Sequence, residues 1–180
     1  LSIKQHFALT EVSLSVVLLF VALGVLFSLM FVGRVVERLT ARGAALIGGL
    51  LISAALAAML HAPGFVLLLP IAFILGASMS LFDVSINADG TELEHVGGKP
   101  IMSNLHGMFS AGGMAGAALV ALLLRLGMPA AEQLALINGV LAVVIVVASR
   151  GMLVTHSTSD EPKQNFAWPR GLLLVVGLLI

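Results

Sequence analysis

The chain has 180 residues, of which 59% are hydrophobic and 10% are charged, and its nine basic residues balance its nine acidic residues. Soluble domains carry about 25% charged residues, so this composition excludes a soluble domain and predicts an integral membrane protein in contact with the lipid bilayer. The zero net charge gives no indication of a nucleic-acid partner. Because the chain contains no cysteine, thiol catalysis and thiolate metal sites are excluded. We expect no cofactor and no metal.

Five apolar runs are each long enough for a membrane-spanning helix, which needs about 20 residues. The third run has Pro70 near its beginning, where a proline is best tolerated. The fifth run is long enough if residues 130–133 begin its helix. The spans predicted in chain order are 12–33, 44–60, 65–88, 101–124 and 134–149. We therefore expect an all-α membrane protein, with a sixth helix beginning at Gly171.

The basic residues indicate how these helices are oriented. Because successive loops lie on opposite sides of the membrane, seven basic residues fall on one side and only Lys4 and Arg125 fall on the other. The seven are Arg34, Arg38, Arg42, Lys99, Arg150, Lys163 and Arg170. The positive-inside rule assigns the richer side to the cytoplasm. We therefore expect a multi-pass protein of the cell (inner) membrane with segments 34–42, 90–100 and 150–170 in the cytoplasm.

A polar stretch between Gly76 and Gly116 interrupts the apolar pattern. At about 100° per residue, Ser80, Asp83 and Asn87 share one stripe of the third predicted helix with Gly76. Three other polar residues, Ser78, Ser85 and Asp89, fall on the opposite side of that helix. This separation predicts that the stripe with Asp83 lines an aqueous cavity.

The fourth predicted helix shows a similar division. Ser103, His106, Ser110 and Gly113 share one stripe, and Asn104 lies near the cytoplasmic end of the helix. Gly112 and Gly116 lie away from that stripe, in the small-xxx-small spacing that allows two helices to pack closely. The polar stripe is predicted to face the same cavity as Asp83.

The depths of the two polar stripes allow Asp83 and His106 to approach each other. At 1.5 Å per residue these residues lie roughly 13 Å and 9 Å from the same membrane face. A carboxylate and an imidazole in a low dielectric can exchange a proton or hydrogen-bond a polar solute, so Asp83 and His106 are candidates for handling substrate or protons.

Structural alternatives stay open for each of these residues. Asp83 could instead pin two helices together, and His106 could be a satisfied core histidine. Asn87 and Asn104 fit interhelix hydrogen bonds as well as solute contacts. Three serines favour bonds to their own helix backbone over ligand contacts. They are Ser80, Ser103 and Ser110.

A charged motif between the first two spans resembles a family signature. The sequence Gly33-Arg-Val-Val-Glu-Arg-Leu-Thr-Ala-Arg42 is similar to Gly-x-Leu-Ala-Asp-Arg-x-Gly-Arg-Lys, which follows the second helix in the major facilitator superfamily (MFS). Glu37 replaces the usual aspartate, Thr40 replaces the second glycine, and Ala41 replaces a basic residue. The matching positions are Gly33, Glu37, Arg38 and Arg42.

The polar stretch gives a second resemblance. Asp83-Val-Ser-Ile-Asn87 and His106-Gly-Met-Phe-Ser-Ala-Gly resemble the YbjJ-like branch near the fucose permeases, which has Asp-x-x-Met-Asn on helix four and His-Gly/Ala-x-x-Ser-x-Gly on helix five. Ile86 takes the place of the methionine. The Gly-Pro antiporter signature of helix five is missing, since no proline lies between Ile101 and Met128.

These resemblances imply an MFS-type six-helix half-bundle from a twelve-helix transporter, with the solute bound at the interface of the two halves. The start at Leu1 and the end within an apolar run favour a fragment of a longer protein. Residues 1–150 would form the amino-terminal transmembrane half without its first helix, 151–170 a central cytoplasmic linker, and 171–180 the start of the carboxy-terminal half. Partners would be the first helix and the carboxy-terminal half of the same protein.

The resemblance also implies a cytoplasmic gate. Gly33, Glu37, Arg38 and Arg42 would act in this gate, and a basic residue of the motif would pair with Asp89 at the neighbouring helix end. The same arginines also satisfy the positive-inside rule, and the two roles are compatible.

The leading functional hypothesis is a secondary transporter that moves a small polar solute, a sugar or related metabolite, by alternating access. Coupling to protons as a symporter through Asp83 and His106 is one form of it. Alternatives are a drug or metabolite efflux transporter and a non-transporting membrane scaffold or sensor. We expect no enzyme, because Ser110 and His106 lie about a turn apart on one helix and no rhomboid-type Gly-x-Ser-Gly is present.

Overall fold

The computed structural model describes residues 10–153. Five helices follow one another along this part of the chain: α1 Glu11–Leu29, α2 Val32–His61, α3 Phe65–Gly97, α4 Met102–Arg125 and α5 Ala130–Ser149. All five are long and apolar enough to cross a membrane. The prediction of an all-α membrane protein is therefore confirmed. The predictions for Lys4, for most of the linker and for the sixth helix lie outside the described residues.

Local sequence accounts for several helix ends. Thr10 adopts an extended conformation and its side chain accepts a hydrogen bond from the backbone N–H of Ser13, which caps the start of α1. Helix α3 ends at Gly97 and is followed by Gly98, whose φ of 61° is left-handed and suits a residue without a Cβ. Helix α5 begins after Pro129, which confirms that residues 130–133 belong to the helix.

The polar segments 34–42 and 90–100 are more helical than the sequence analysis predicted. Residues 34–42, predicted to connect the first two spans, lie within α2, where only Thr40 has non-helical angles. Residues 90–97, predicted as a loop, continue α3 for about two further turns, so only residues 98–101 connect α3 to α4. Hydropathy marks where a chain leaves the hydrocarbon, whereas backbone hydrogen bonds decide where the helix ends, and the two positions differ here.

Helix α3 is the centre of the described bundle. One face of it packs against α1 and α2 near one membrane surface, in a cluster formed by Val17, Met59, Ala62, Leu68 and Ala72. Its other end packs against the beginning of α2, in a cluster formed by Val32, Val36, Ala41 and Ala44 with Leu81, Val84 and Ala88 of α3. These two clusters place α1 and α2 against the whole length of the predicted span of α3.

Glycines allow α1 and α3 to approach closely. A Cβ built at Gly76 would overlap the backbone carbonyl of Val21, and a Cβ built at Gly24 would overlap the carbonyl of Phe73. Gly48 of α2 is in a similar position, since its Cβ would lie 2.9 Å from the backbone nitrogen of Phe82. The backbones of α1 and α2 therefore pack directly onto α3, as small residues permit in membrane helices.

Helix α4 has a different environment. None of its residues is buried by the described part of the chain. It meets α3 at its first turns, where Met102 and Leu105 lie against Gly90. Helix α5 packs against α2, and Asn138 Nδ2 donates a 2.9 Å hydrogen bond to the carbonyl of Ser53.

Candidate functional site

Asp83 and Asn87 form a polar pair on the surface of α3. They lie one helical turn apart, and Asn87 Nδ2 donates to Asp83 Oδ2 over 3.3 Å. Asp83 is exposed and Asn87 is half-buried. Because a four-residue spacing places two side chains on the same face, the amide orients one carboxylate oxygen and leaves the other free to accept from a solute.

The predicted stripe that contains Asp83 is divided by the packing of α1. Gly76 contacts the backbone of α1, and Ser80 is buried, with 6% of its surface exposed. Ser80 Oγ has no hydrogen-bond partner among the described residues. Gly76 is thus covered by α1 and Ser80 is buried, so the part of the stripe that stays open is the half that carries Asp83 and Asn87.

The opposite side of α3 is a packing face, as its phase predicted. Ser78 and Ser85 are buried, and each donates to the carbonyl of the residue one turn earlier, over 2.7 Å to Ile74 and 2.6 Å to Leu81. These bonds satisfy the hydroxyl groups within the helix itself. Backbone bonding of serines, which the sequence analysis expected at other positions, occurs at these two.

Helix α4 presents polar side chains that the described residues do not cover. Asn104, His106 and Ser110 are all exposed, as is Ser103. No described hydrogen bond or ion pair joins any of them to α3. In a segment that crosses the membrane, such groups need water or a protein partner, because hydrocarbon offers no hydrogen bonds.

The contact between Gly90 and Leu105 sets the relative depth of Asp83 and His106. The short connection makes α3 and α4 run in opposite directions, and Asp83 lies about 10 Å before Gly90 along α3. His106 follows Leu105 directly, so it lies nearer the connecting loop than Asp83 does. The described residues do not bring these two side chains together, and their joint role in handling substrate or protons stays a prediction.

The motif between α1 and α2 forms the first turns of α2. Gly33, Glu37 and Arg38 are exposed and Arg42 is half-buried, while Val36 and Ala41 face α3 in the cluster described above. The charged residues therefore lie on the outer side of a packed helix. Their role in a cytoplasmic gate stays a prediction.

Thr40 has a backbone conformation that favours glycine, the residue that the family signature has at this position. Its φ of 64° and ψ of 159° lie in a region that residues with a Cβ rarely adopt. Thr40 Oγ1 accepts a 3.3 Å hydrogen bond from the N–H of Gly43, so the side chain caps the part of α2 that follows the kink. The threonine thus compensates in part for a backbone conformation that favours glycine.

Asp89 has a different partner from the one that the resemblance implied. It is buried, with 8% of its surface exposed, and its Oδ1 accepts a 3.0 Å hydrogen bond from the N–H of Leu153, just beyond α5. Within the described part of the chain, no ion pair joins it to Arg34, Arg38 or Arg42. In the structure this carboxylate joins α3 to the end of α5, and its pairing with a basic residue of the motif stays a prediction.

Glu94 is a positioning residue within segment 90–100, which the sequence analysis placed in the cytoplasm between two spans. Its Oε1 accepts from the N–H groups of both Ile101 and Met102, over 2.6 Å and 2.8 Å. These are free N–H groups at the start of α4, and a carboxylate there also interacts favourably with the helix dipole. The signal was present in the sequence as an acidic residue seven positions before a helix start, but only the extension of α3 shows that it reaches that helix.

Asn138 marks a groove that the sequence analysis did not predict. The groove lies between α2, α3 and α5 and has a volume of about 480 Å³. Phe82 and Ile86 of α3 and Val144 of α5 are among its mostly apolar lining residues. Asn138 Oδ1 is buried and has no hydrogen-bond partner in the described part of the chain.

The predicted packing glycines of α4 have no described partner. A Cβ built at Gly112 or Gly116 would meet nothing within 4 Å. Their role in helix packing stays a prediction. Within residues 10–153, no group of three or more His, Asp or Glu residues could hold a metal ion.

Two curated proteins are similar to this chain. An uncharacterised MFS-type transporter of Yersinia pestis is 28% identical over 179 residues, which cover 98% of this chain and 46% of that protein. An uncharacterised transporter of Sinorhizobium fredii (strain NBRC 101917 / NGR234) is 33% identical over 117 residues, which cover 65% of this chain and 31% of that protein. The chain thus spans less than half the length of the curated relatives it matches.

No family model matches the chain, and no solved structure matches it. The similarity to two transporters, together with five helices of membrane-spanning length, supports a transporter role.

Proposed function

We propose that this chain is part of an MFS secondary transporter that moves a small polar solute, a sugar or related metabolite, across the membrane by alternating access. The described helices would form part of one half of the transporter. Similarity to the Yersinia pestis MFS-type transporter over 98% of the chain supports the family, and the arrangement of polar side chains supports the class of solute.

The observation that carries the proposal is the exposure of polar side chains within membrane-spanning helices. Asp83 of α3 and Asn104, His106 and Ser110 of α4 are exposed. A charged side chain at the centre of a bilayer costs about 2.5–3.5 kcal/mol or more, so a surface that carries one is expected to line a water-filled path. Helices α1 and α2 pack against other parts of α3, and the surface with Asp83 is the candidate solute path.

The chemistry of this surface suits a solute with hydroxyl groups. Asp83 offers a carboxylate whose orientation Asn87 supports through the 3.3 Å hydrogen bond. Asn104 and Ser110 can each donate and accept, as a hydroxyl group requires of its partners. His106 can take either role, and an imidazole can bind and release a proton, which is the basis for proposing proton coupling.

The cytoplasmic ends of the helices would supply the gate. Alternating access moves one bundle against the other around a fixed binding site. Arg38 and Glu37 lie on the outer side of α2, where they are free to contact another part of the transporter when the cytoplasmic side closes. Asp89 would keep α3 and α5 together during this motion through its bond to Leu153.

The test is solute uptake by the full-length protein in proteoliposomes, with and without a pH gradient, after a thermal-shift screen of sugars and polar metabolites has identified a ligand. We expect Asp83→Asn to lower the uptake rate about tenfold or more, which corresponds to about 1.4 kcal/mol. His106→Ala is expected to remove the dependence of uptake on the pH gradient. Both variants must reconstitute to the same density as the parent protein.

Glu92→Gln is the matched control, because it removes a carboxylate from the extension of α3 beyond the predicted span. It is expected to transport at the parental rate. Normal coupled uptake in both Asp83→Asn and His106→Ala would contradict the roles proposed for these residues. Failure to transport any solute, together with a stable protein partner, would favour a scaffold or sensor instead.

A further inference from the structure

A crevice with a volume of about 260 Å³ lies between α1, α2 and α3. Helices α1 and α2 both pack on α3 but hardly touch each other, and the crevice lies where they separate. It is open to the outside, since its lining includes Phe27 of α1, Leu51 of α2 and Ile74 of α3, which are 52%, 41% and 47% exposed. We call this cavity the α1/α2 crevice.

The α1/α2 crevice lies close to one membrane surface. Counted at 1.5 Å per residue from Glu11, where α1 begins, Phe27 lies about 24 Å and Phe31 about 30 Å along the helical path. The hydrocarbon core is about 30 Å thick, so these two rings lie in its last part. Arg34 and Arg38 follow at about 35 Å and 40 Å, which is the depth of the lipid headgroups.

The lining of the α1/α2 crevice is compatible with hydrocarbon. The ring of Phe27 lies 5.2 Å from that of Phe31 and 5.5 Å from that of Phe73, and all three residues line the crevice. Two buried side-chain oxygens lack a hydrogen-bond partner within residues 10–153, at Ser80 and Asn138, and neither residue lines the crevice. An acyl chain in the crevice therefore leaves neither of these polar groups facing hydrocarbon.

Two arginines continue the lined face of α2 toward the headgroups. Phe31 and Val35 line the crevice. Arg34 follows Phe31 by three residues and Arg38 follows Val35 by three, a spacing that makes side chains neighbours on a helix. Both arginines are exposed, and neither forms an ion pair with another described residue. They are therefore free to bind an anion at the mouth of the crevice.

An apolar crevice with two free guanidinium groups at its mouth matches the two parts of an anionic phospholipid. A guanidinium binds phosphate oxygens through paired, charge-assisted hydrogen bonds, and basic side chains at this depth attract anionic lipids. The volume of the crevice is less than that of one turn of an α-helix, which is about 10 Å wide and about 5.4 Å long, so a single acyl chain fits it better than a helix does.

We propose that the α1/α2 crevice binds one anionic phospholipid, with an acyl chain between α1 and α2 and the phosphate on Arg34 and Arg38. The lipid would bridge the two helices where they separate. Asp83 does not line this crevice, so the inference does not depend on the identity of the solute or on transport.

Photolabelling of the full-length protein in phosphatidylcholine liposomes tests the proposal. The probe is a phosphatidylglycerol with a diazirine in one acyl chain, and mass spectrometry identifies the labelled residues. We expect the label to concentrate on residues 27–31 and on Leu51. Leu51→Trp fills the crevice and is expected to remove the label from residues 27–31. Leu50→Trp is the matched control that keeps it, because Leu50 is 39% exposed and does not line the crevice.

Arg34→Gln tests the headgroup contact with the same probe. Loss of one arginine is expected to lower the labelling of residues 27–31 about fivefold. Arg125→Gln, which removes an exposed arginine at the end of α4, is expected to leave the labelling at the parental value. A probe with the same acyl chains on phosphatidylethanolamine should label the crevice weakly in the parent protein and equally weakly in Arg34→Gln.

The comparison of the two probes on the parent protein requires no variant, so it tests the proposal even if Leu51→Trp fails to fold. Equal labelling by both probes would overturn the anionic headgroup. Label spread evenly over exposed apolar residues such as Val143, which is 63% exposed, would overturn the crevice as a site. Residues 27–31 that stay unlabelled by both probes would mean that protein covers the crevice, which also contradicts the proposal.

Discussion

Helices α3 and α4 are both glycine-containing membrane spans with polar residues, yet the bundle uses them in opposite ways. Helix α3 is covered on two sides by α1 and α2, and its Gly76 allows direct contact with the backbone of Val21. Helix α4 has no buried residue, and Gly112 and Gly116 face open space in the described part of the chain. Similar local composition therefore gives a packed helix in one case and an exposed helix in the other, because the position of the neighbouring helices determines which surfaces are buried.

The largest expected effect comes from disrupting the close contact between α1 and α3. Gly76→Ala would place a methyl group on the carbonyl of Val21, and neither backbone can move without separating α1 from α3. We expect the free energy of unfolding to fall by about 3 kcal/mol or more, at the upper end of overpacking costs. Thermal unfolding of the full-length protein in detergent measures the change.

Gly97→Ala is the control for that substitution, because a Cβ at Gly97 meets nothing within 4 Å. Replacing an exposed helical glycine by alanine is expected to leave the melting temperature unchanged or to raise it slightly. Equal melting temperatures for Gly76→Ala and Gly97→Ala would show that α1 and α3 do not cross as closely as the structure has them.

An intermediate effect is expected from removing the hydrogen bonds by which Glu94 of α3 fixes the start of α4. Glu94 accepts from two N–H groups at the start of α4, and hydrogen bonds to a charged group contribute about 1.5–3 kcal/mol each at most. Glu94→Ala is therefore expected to loosen α4 relative to α3 while the packing of α1 and α2 stays intact. Spin labels at Met79→Cys and Met108→Cys, two exposed positions, report this as a broader distance distribution.

Glu92→Ala serves as the comparison for Glu94→Ala, since it removes a carboxylate two residues earlier on the same helix without touching the start of α4. It is expected to leave the distance distribution unchanged. A narrow, parental distribution in Glu94→Ala would mean that contacts other than this cap hold α4 in place.

The smallest effect concerns Thr40, within the packed part of the bundle. Thr40→Val keeps the positive φ but loses the bond from Gly43, so the free energy of unfolding should fall by about 1 kcal/mol. Thr40→Gly loses the same bond but removes the conformational strain, which is about 1–3 kcal/mol for such angles, so it should be neutral or stabilising. Thermal unfolding that ranks valine above glycine at this position would contradict the strained conformation.

The sequence predicted the five spans well, because each depends on local composition. A run of about 20 apolar residues must be helical in a bilayer, since only internal hydrogen bonds satisfy its backbone. The helix ends were less predictable. Residues 90–97 and 34–39 are polar enough to lie in water but still form helix, and hydropathy cannot distinguish a polar helix from a polar loop.

The candidate site was predictable in part. Helical phase correctly separated the exposed Asp83 from the buried Ser78 and Ser85. It did not show that Ser80 is buried, because phase gives the direction of a side chain and not what lies there. Nor did it show that Asp89 accepts a hydrogen bond from the N–H of Leu153, just beyond α5.

Composition and periodicity alone determined that this is a membrane protein, that residues 10–153 contain five spans, and that polar groups lie within two of these spans. These properties depend only on local sequence, because each apolar segment must satisfy its own backbone hydrogen bonds in the bilayer. The tertiary structure decided which glycines make close contacts, which polar stripe stays open, and that Asn138 joins α5 to α2 across 85 positions of sequence. Those outcomes depend on where distant helices lie, and no single helix contains that information.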